Sequence, residues 1–344
     1  MQKVRAVVYG VGQMGSLATR MLLEKDVEIV GALARSDAKV GKDLGEVAGL
    51  GRSLGVTVGS DADAVLAEAN ADIALLAVDS YLADHAVHLE ACAKSGTNAI
   101  TLSEEALYPW RTAADATKRL DQLAKDHGVT LTGGGCQDLF WVHQVGALMG
   151  AAHTIESVYG YSNWNVDDFG PEVAQDMQIG AAPEDISSSS GEDQDGPPSF
   201  NRIGLEAIVA LAGLTFEKVT SEVEPLVATE PTPSNGLGTT IEAGRVVGLN
   251  NVERVQTAEG IELTLEMAGH IYKPGEHDVT EWTIKGEPDM KVRIDPWPAR
   301  IGTVTQLVNR VPDVINAAPG FVTVDQLPAP MYRSAPMGAY IREQ

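Results

Sequence analysis

Residues 4–15 read VRAVVYGVGQMG, a short apolar run that leads directly into three closely spaced glycines. The G-x-G-x-x-G spacing alone is weak evidence, but here it follows a strand pattern and opens a helical pattern, which is the context that the motif requires. We therefore predict a strand, a tight glycine turn and a helix whose N-terminus binds the phosphates of a dinucleotide. The residues predicted to form this cofactor-binding turn are Gly10, Gly12, Gln13, Met14 and Gly15.

Short apolar runs alternate with helical patterns over the first third of the chain. The predicted strands cover residues 4–9, 27–33, 73–78, 98–102 and 129–132, and the predicted helices cover 14–25, 82–94 and 112–127. Alternation of this kind argues for a parallel sheet covered by helices on both faces. We therefore predict fold class α/β, with an N-terminal NAD(P)-binding Rossmann domain that is built on a doubly wound parallel sheet and spans residues 1–135.

Beyond the glycine run 133–135 the pattern changes, because longer extended segments gather in the second half of the chain. The predicted strands there cover residues 157–164, 245–256, 261–268, 279–285 and 291–294, and the predicted helices cover 138–150, 201–214 and 302–316. Extended runs grouped in this way favour a mostly antiparallel sheet. We predict a substrate-binding α+β domain over residues 136–300, followed by a helix and tail, 301–344, that pack back on the Rossmann domain.

Charge and composition exclude several classes of partner. Acidic residues number 48 against 25 basic ones, a formal net charge of −23, so neither nucleic acid nor an anionic membrane surface is an expected partner. The longest apolar run, 73–78, is far shorter than the ~20 residues that cross a bilayer. Two cysteines exclude a disulfide framework, and the strand pattern that begins at Val4 leaves no signal peptide. We therefore expect a cytoplasmic protein.

The end of the second predicted strand bears on cofactor choice. An NAD site places Asp or Glu there, about 20 residues past the glycines, to accept the ribose 2′-hydroxyl. This chain has Arg35 and Ser36 instead, and a guanidinium beside a hydroxyl suits the 2′-phosphate of NADP. Because Asp37 is still able to serve a hydroxyl, NADP is the predicted cofactor and NAD the alternative. A plain solvated position for Arg35 is the structural alternative.

Polar side chains follow two further predicted strands, at the edge of the sheet where such folds carry out chemistry. Ser80 either contacts the cofactor or caps the next helix. Glu104 and Glu105 either begin a helical turn or face a cleft, since two buried carboxylates without a cation are costly. Adjacent residues of an extended chain point in opposite directions, and a turn toward Pro109 is expected to carry Glu105 outward.

A third strand end, residues 133–141, joins three glycines to Cys136 and Trp141 and is expected to lead from the cofactor domain to the substrate domain. Farther along, the chain has a cluster of aromatic residues: Tyr159, Tyr161, Trp164 and Phe169. Because only 5% of the chain is aromatic, this cluster indicates an apolar pocket wall, with core packing as the alternative.

Several motifs together resemble one known family. They are the glycine turn 10–15, VGKDLG at 40–45, SEE at 103–105 with YP at 108–109, QD at 137–138 with Trp141, NVDDFG at 165–170 and PGFVT at 319–323. In these motifs, which extend over nearly the whole chain, the protein resembles the 2,4-diaminopentanoate dehydrogenase-like family. That family includes the native amine dehydrogenases and is remotely related to dihydrodipicolinate reductase. The motifs at 103–105 and 137–138 are the more specific ones.

The resemblance implies reversible, NAD(P)-dependent oxidative deamination of an amine, with Glu104 as the catalytic carboxylate facing the reacting nitrogen. A carboxylate both stabilises a cationic nitrogen and accepts its proton, so the chemistry agrees. The resemblance also places Trp141, Trp164 and Phe169 in the substrate pocket, and we expect the positions of Cys136 and Trp164 to vary with substrate. The implied partners are a small-molecule amine or carbonyl compound and ammonia. The segments that carry the pocket residues show no basic group for the carboxylate of a diamino acid, which counts against 2,4-diaminopentanoate itself.

Two other functions stay open as alternatives. A sugar, polyol or carbonyl oxidoreductase of the glucose–fructose oxidoreductase type would carry Glu-Lys-Pro and a catalytic lysine, whereas this chain has Glu104 and Glu105, and its next lysine is Lys118. Dihydrodipicolinate reductase itself would show a histidine pair followed by a lysine, which this chain lacks after the cofactor domain. A non-catalytic NADP sensor would keep the glycine turn without needing Glu104.

Three weaker features complete the sequence. His85, His88 and Cys92 share one helix stripe, but zinc would need a further ligand, so we predict no metal site. Residues 187–198 contain no apolar side chain and form either a surface loop or a lid over the substrate. A homodimer built on the sheet of the second domain is the assembly expected from analogy of fold.

Overall fold

The computed structural model describes residues 3–186 and 197–342. The chain divides into two compact units, of which the first comprises Met1–His143 together with Ala299–Gln344. The second unit comprises Gln144–Pro298. Most of the segment predicted as a loop or lid, residues 187–196, lies outside the described residues.

The described residues form the strands β1 Arg5–Tyr9, β2 Glu28–Leu33, β3 Val58–Gly59, β4 Ile73–Leu76, β5 Asn98–Thr101, β6 Thr130–Gly133, β7 Thr154–Asn165, β8 Phe216–Val227, β9 Thr232–Ser234, β10 Thr239–Ile241, β11 Val246–Thr257, β12 Glu262–His270, β13 Thr280–Glu287, β14 Met290–Ile294 and β15 Gly320–Phe321. The α-helices are α1 Gln13–Glu24, α2 Leu44–Val47, α3 Ala62–Ala69, α4 Leu82–Lys94, α5 Ala114–His127, α6 Gln144–Met149, α7 Pro171–Asp176, α8 Phe200–Leu211 and α9 Ala299–Ile315. Short 3-10 turns cover Glu105–Leu107, Val166–Phe169, Pro183–Asp185, Val324–Gln326 and Met337–Tyr340, and a π-helical segment covers Asp138–His143.

The first unit is built on a parallel sheet, whose seven strands in the described residues have the order β15-β6-β5-β4-β1-β2-β3. The chain starts at β1 and builds outward first to one side and then, from β4, to the other. At such a switch point the carboxyl ends of the strands leave a crevice in which ligands bind. The predicted doubly wound Rossmann sheet is therefore confirmed.

Helices on both faces explain why the strands of this sheet read as continuous apolar runs. Helices α1 and α9 cover one face with buried side chains such as Leu22 and Val308. Helices α3, α4 and α5 cover the other face, where Leu89 and Leu120 are buried. The edge strands β3 and β15 were not predicted, because two residues are too few to show a periodic pattern.

The second unit contains a sheet with strand order β14-β13-β7-β12-β11-β8. Neighbouring strands are antiparallel except β12 and β7, which run parallel over Glu262–His270. Helix α8 packs on β11 and β12. The prediction of a second, α+β region with a mostly antiparallel sheet is confirmed.

Strand β8 was missed by the sequence analysis. Its sequence, FEKVTSEVEPLV, is rich in charged residues and contains Pro225. These features argue against a central strand, but β8 lies at the edge of its sheet. At an edge, charged side chains reach water and the missing N–H of a proline is tolerated.

The helix predicted over residues 138–150 is present, but helical geometry already begins at residue 136, and Asp138 lies inside the helical segment instead of capping it. A π-helical segment runs from Asp138 to His143, and α6 begins only at Gln144. Asp138 is fully buried, and its two carboxylate oxygens accept hydrogen bonds from Arg310 Nε at 2.7 Å and Nη2 at 2.8 Å. Arg310 belongs to α9 and is also fully buried. The first residue of the π-helical segment is therefore the one that forms the ion pair with α9.

We expect Arg310→Met to lower the free energy of unfolding by about 3–5 kcal/mol, because the buried Asp138 carboxylate would lose its cation. Urea denaturation followed by tryptophan fluorescence measures this change. The matched control is Arg20→Met, which removes an exposed pair with Glu24 and should cost at most about 0.5 kcal/mol. A loss at Arg310 no larger than that of the control would contradict the role given to this ion pair.

Candidate active site

At two of the three glycine positions in the turn between β1 and α1, a larger residue would clash with the backbone. Gly10 has φ +101°, and a Cβ there would lie 2.4 Å from the carbonyl oxygen of Ala77. A Cβ at Gly15 would lie 2.0 Å from the carbonyl oxygen of Gly10. At Gly12, by contrast, no atom of the described residues comes within 4 Å of the Cβ position. The second glycine therefore leaves the backbone open to the close approach of a ligand.

Helix α1 begins at this open backbone. Its N-cap is Gly12, which has no side chain to satisfy the first N–H groups, and its first turn contains no acidic residue. Gln13 is exposed and Met14 is partly exposed. The helix therefore offers N–H donors and the positive end of its dipole to an anion. These residues fit the diphosphate of a dinucleotide.

Arg35 and Ser36 follow β2 and are both exposed. The Arg35 side chain is 84% exposed, and its Nη2 lies 3.9 Å from the Asp79 carboxylate, beyond the end of β4. Asp79 also lies 3.6 Å from Nε2 of His88, whose Nδ1 shares a 2.7 Å hydrogen bond with the Tyr9 hydroxyl. A long, exposed ion pair contributes little stability. Arg35 is therefore available for a stronger anionic partner.

Lys39 is a residue of this site that the sequence analysis missed. Its Nζ donates a 2.7 Å hydrogen bond to the backbone oxygen of Val11, inside the glycine turn. An ammonium group at this position adds positive charge beside the N-terminus of α1, where an anionic ligand would bind. The sequence shows a lysine four residues after Arg35. It does not show that the chain folds back so that this lysine reaches the glycine turn.

Glu104 and Glu105 lie at the end of β5 in different environments. Glu104 is partly exposed, whereas Glu105 is only 4% exposed. Glu104 has helical backbone angles, φ −61° and ψ −39°, so the alternation of an extended strand does not apply. The expectation that Glu105 turns outward is wrong, because its carboxylate accepts a 2.7 Å hydrogen bond from the buried N–H of Leu82.

Burial raises the pKa of the Glu104 carboxyl above its usual value, and a hydrogen bond with the Ser80 side chain opposes the rise. A carboxyl group with a raised pKa exchanges protons more readily near neutral pH. Ser80 does not cap α4, because the N-cap residue is Tyr81 and no side chain caps the helix at that position. The capping alternative for Ser80 is therefore wrong, and its hydroxyl belongs to the surroundings of Glu104.

The glycine run after β6 brings the backbone against the turn that carries Glu104. A Cβ at Gly133 would lie 2.3 Å from the carbonyl carbon of Ala106. Cys136, farther along the same run, is buried, and burial raises the pKa of its thiol to about 12. The Glu104 charge also raises this pKa. Cys136 therefore lies near enough to Glu104 to be affected by its charge.

The predicted aromatic pocket residues have different exposures. Trp141 is fully buried in the first unit. In the second unit, Trp164 and Phe169 form an edge-on pair with ring centroids 5.1 Å apart, and Phe169 is 58% exposed. The structure thus brings Glu104 together with Ser80 and Cys136 in one unit, and Trp164 together with Phe169 in the other. Their role in binding a substrate stays a prediction.

Neither a metal centre nor a membrane span is found in the described parts of the chain. Over residues 3–186 and 197–342, no group of three or more His, Cys, Asp or Glu side chains is arranged to hold a metal ion. Within the same ranges, no helix combines the length and the apolar character that crossing a bilayer requires.

The parallel sheet with its open glycine turn, and the carboxyl group after β5, are the architecture of a dinucleotide-dependent dehydrogenase. A family model described as the 2,4-diaminopentanoate dehydrogenase C-terminal domain matches residues 142–342. The chain belongs to the 2,4-diaminopentanoate dehydrogenase family.

Two relatives match nearly the whole chain. The 2,4-diaminopentanoate dehydrogenase of Acetoanaerobium sticklandii is 29% identical over 349 residues, which cover 96% of this chain and 95% of that protein. A solved amine dehydrogenase from Mycobacterium smegmatis is 48% identical, with a TM-score of 0.87 over 97% of this chain and 98% of that chain. The predicted family is therefore confirmed, and the chain is an oxidoreductase.

A more distant solved structure shares the fold alone. Myo-inositol 2-dehydrogenase from Lactobacillus plantarum is 15% identical, with a TM-score of 0.61 over 94% of this chain and 93% of that chain. A shared fold at this identity says nothing about the substrate.

His85, on α4, is a buried group whose titration should be visible in the stability of the protein. It is fully buried, its ring nitrogens have no hydrogen-bond partner among the described residues, and burial lowers its pKa to about 4. An unfolded histidine has a pKa of about 6.5. Between these two values the unfolded chain binds a proton that the folded chain does not, so stability falls as the pH falls from about 6.5 to about 4.

We expect His85→Leu to remove about 2–3 kcal/mol of this acid-induced loss of stability. Chemical denaturation of wild type and variant at a series of pH values between neutral and the folded-state pKa measures it. Replacing the exposed His127 by leucine is the control and should leave the wild-type pH dependence in place. A His85→Leu variant that loses stability with pH as steeply as wild type would show that His85 does not titrate in this way.

Proposed function

We propose that the chain is an NADP-dependent amine dehydrogenase, which interconverts a primary amine with a carbonyl compound and ammonia. The observation that carries the proposal is the Glu104 carboxyl, which is partly exposed beyond the end of β5 and has a pKa raised by burial. Relatives named amine dehydrogenase and 2,4-diaminopentanoate dehydrogenase, which match almost the whole chain, support the same function.

The proposed reaction converts an alkylammonium ion, the oxidised cofactor and water into a carbonyl compound, ammonium, the reduced cofactor and a proton. When bound, the nicotinamide supplies the acceptor for the hydride that leaves the substrate carbon. The protein must take a proton from the substrate nitrogen before this step. It must take another from the water that adds to the resulting iminium carbon.

Glu104 is the group that we assign to both proton transfers. Its carboxylate form attracts a cationic nitrogen and accepts the proton of that nitrogen. Burial favours the neutral form, whereas the hydrogen bond with Ser80 favours the charged form. Because the two effects oppose each other, the group is able both to accept and to release a proton during one turnover.

The proposed substrate is an amine without a carboxylate. The residues proposed to form its pocket are Cys136 and Trp141, which are buried, and Trp164 and Phe169, which are partly exposed and exposed, respectively. All four side chains are uncharged as thiol or aromatic groups, so none of them would balance a carboxylate. This composition favours an apolar amine over the diamino acid for which the A. sticklandii relative is named.

NADP is the cofactor that we propose, with NAD as a weaker alternative. Arg35 and Ser36 supply a guanidinium and a hydroxyl beyond the end of β2, where the adenosine ribose binds in this fold. Lys39 adds a second cation at the glycine turn. Asp79 lies close enough to Arg35 to compete for it, and a 2′-phosphate, with its greater charge, would displace that contact.

The proposal includes a cytoplasmic location and a homodimer. Cys92 and Cys136 are both free and buried, which suits a reducing compartment. The sheet of the second unit is the surface that we propose for the dimer, by analogy of fold.

Glu104→Gln should lower the turnover of amine oxidation by ~10²–10⁴-fold, because glutamine keeps the shape of the side chain and removes its basicity. Binding of NADP, measured by quenching of tryptophan fluorescence, should be unchanged, since the glycine turn is untouched. Glu68→Gln, at an exposed position of α3, is the control and should keep full activity. Turnover of Glu104→Gln near that of the control would refute the assigned role.

A substrate panel separates the proposed function from its two rivals. NADP reduction at high pH is followed with a set of primary amines and, separately, with a set of polyols. Oxidation of polyols but not amines would identify a polyol dehydrogenase. Binding of NADP with no NADP reduction by amines or polyols would identify a sensor. Either of these two results would reject the proposed amine dehydrogenase.

Arg35→Ala should raise the KM for NADP roughly ten- to hundred-fold, because a charge-assisted contact contributes about 1.5–3 kcal/mol. The KM for NAD should change little, since NAD lacks the 2′-phosphate. Steady-state kinetics with each cofactor give the two values, and Arg20→Ala, on the exposed face of α1, is the control. Equal increases for NADP and NAD would show that Arg35 does not recognise the 2′-phosphate.

A further inference from the structure

Next to Glu104 the structure has a buried carboxylate that the proposed proton transfers do not use. Glu105 is 4% exposed, and its Oε2 accepts a 2.7 Å hydrogen bond from the N–H of Leu82, the first residue of α4. The N-cap residue of this helix, Tyr81, provides no side-chain cap. A buried carboxylate needs compensation, and here a backbone donor and the positive end of the helix dipole supply it. Glu105 therefore caps α4 from a separate loop.

The turn that carries Glu105 also forms hydrogen bonds with Ser80, the residue before the N-cap of α4. The carbonyl oxygen of Ser80 accepts a hydrogen bond from the Glu105 N–H at 3.3 Å and another from the Ser103 hydroxyl at 2.7 Å. The side chain of Ser80 also lies near enough to the Glu104 carboxyl to lower its pKa, against the larger effect of burial. The hydrogen bonds that join the loop after β4 to the turn after β5 therefore also set the surroundings of Glu104.

The same turn is confined on its other side by β6. The backbone of Ala106 lies so close to Gly133 that a Cβ there would meet its carbonyl carbon at 2.3 Å. Ala106 itself is fully buried. The turn is therefore held between β6 and residues 80–82. Because both contacts limit its movement, they also limit the movement of Glu104.

We propose that Glu105 is a positioning residue: its carboxylate holds the start of α4, and with it Ser80, against the turn, so that the Glu104 carboxyl keeps a fixed place and a fixed degree of hydration. The role in turnover rests on the function proposed for Glu104. The effect on the titration of Glu104 does not, and it is measurable without any substrate.

Two substitutions at Glu105 separate the acceptor from the charge. Glu105→Gln keeps an amide oxygen that can accept from Leu82, whereas Glu105→Ala removes the acceptor. We expect Glu105→Ala to lower kcat on the order of 10²-fold, as small misplacements of reacting groups do, and to leave the KM for NADP within about twofold. Glu105→Gln should restore kcat to within about fivefold of wild type, because the hydrogen bond is kept.

The pH profile distinguishes positioning from a purely structural cap. In Glu105→Ala, water should reach Glu104 and relieve the burial that raises its pKa. Loss of the Ser80 contact would act in the opposite direction, but burial is the larger of the two effects, so the pKa should fall. The acidic limb of the kcat profile should therefore move to lower pH, and in Glu105→Gln it should stay in place. Asp84→Ala removes an exposed acid from the first turn of α4 and is the matched control. Loss of helix stability alone would lower the Tm without moving this limb.

Ser103→Ala provides a second variant in case Glu105→Ala does not fold. It removes one of the two hydrogen bonds to the Ser80 carbonyl and should shift the acidic limb in the same direction by a smaller amount. Infrared difference titration of the Glu104 carboxyl, assigned by its absence in Glu104→Gln, reports the same shift without turnover.

The outcomes for the two proposals are distinct. A wild-type enzyme that oxidises no amine would reject the proposed function, and the infrared titration would then decide the role of Glu105 alone. If Glu104 titrates at the wild-type pH in the folded alanine variants at Glu105 and Ser103, the positioning role is overturned. A shift to lower pH in both, with none in Glu105→Gln or Asp84→Ala, would support it.

Discussion

A fully buried ion pair between Asp138 and Arg310 joins parts of the first unit that are far apart in the sequence. Around it, Gln306 accepts a 2.8 Å hydrogen bond from the N–H of Gly135 and donates to Asp138, while Arg310 also donates to the carbonyl of Pro328. Charges removed from water are tolerated only when each is fully paired, so these bonds depend on one another. They hold α9 and the C-terminal segment beside the glycine run that leads to Cys136.

Electrostatics pose a second constraint, because a chain with net charge −23 is expected to bind an anionic cofactor. Salt screens exposed charges beyond a Debye length of ~8–10 Å, so distant carboxylates matter less than groups at the site. At the site, the charges are favourable: the first turn of α1 has no acidic residue, and Lys39 donates to the turn itself. The positive groups at the glycine turn thus outweigh the unfavourable net charge of the whole chain.

The adjacent carboxylates Glu104 and Glu105 have different environments. Glu105 is enclosed and faces backbone N–H at the start of α4, where its negative charge is compensated. Glu104 stays partly exposed beside a hydroxyl, with a pKa raised by burial. Pairs of carboxyl groups whose surroundings separate their properties are a common source of acid–base function.

Local sequence determined the Rossmann sheet and the glycine turn, because strand period and turn chemistry are properties of neighbouring residues. It also placed two carboxylates at the end of a strand, and the family resemblance selected Glu104 between them. Edge strand β8, with Pro225, violated those local rules and was missed. Only the tertiary structure decided the direction of Glu105 and the contact of Lys39 with Val11. Both depend on partners from other loops, just as Asp138 pairs with a residue 172 positions away. Such contacts leave no periodic pattern in the chain, since burial and compensation of charge arise only once the units have folded.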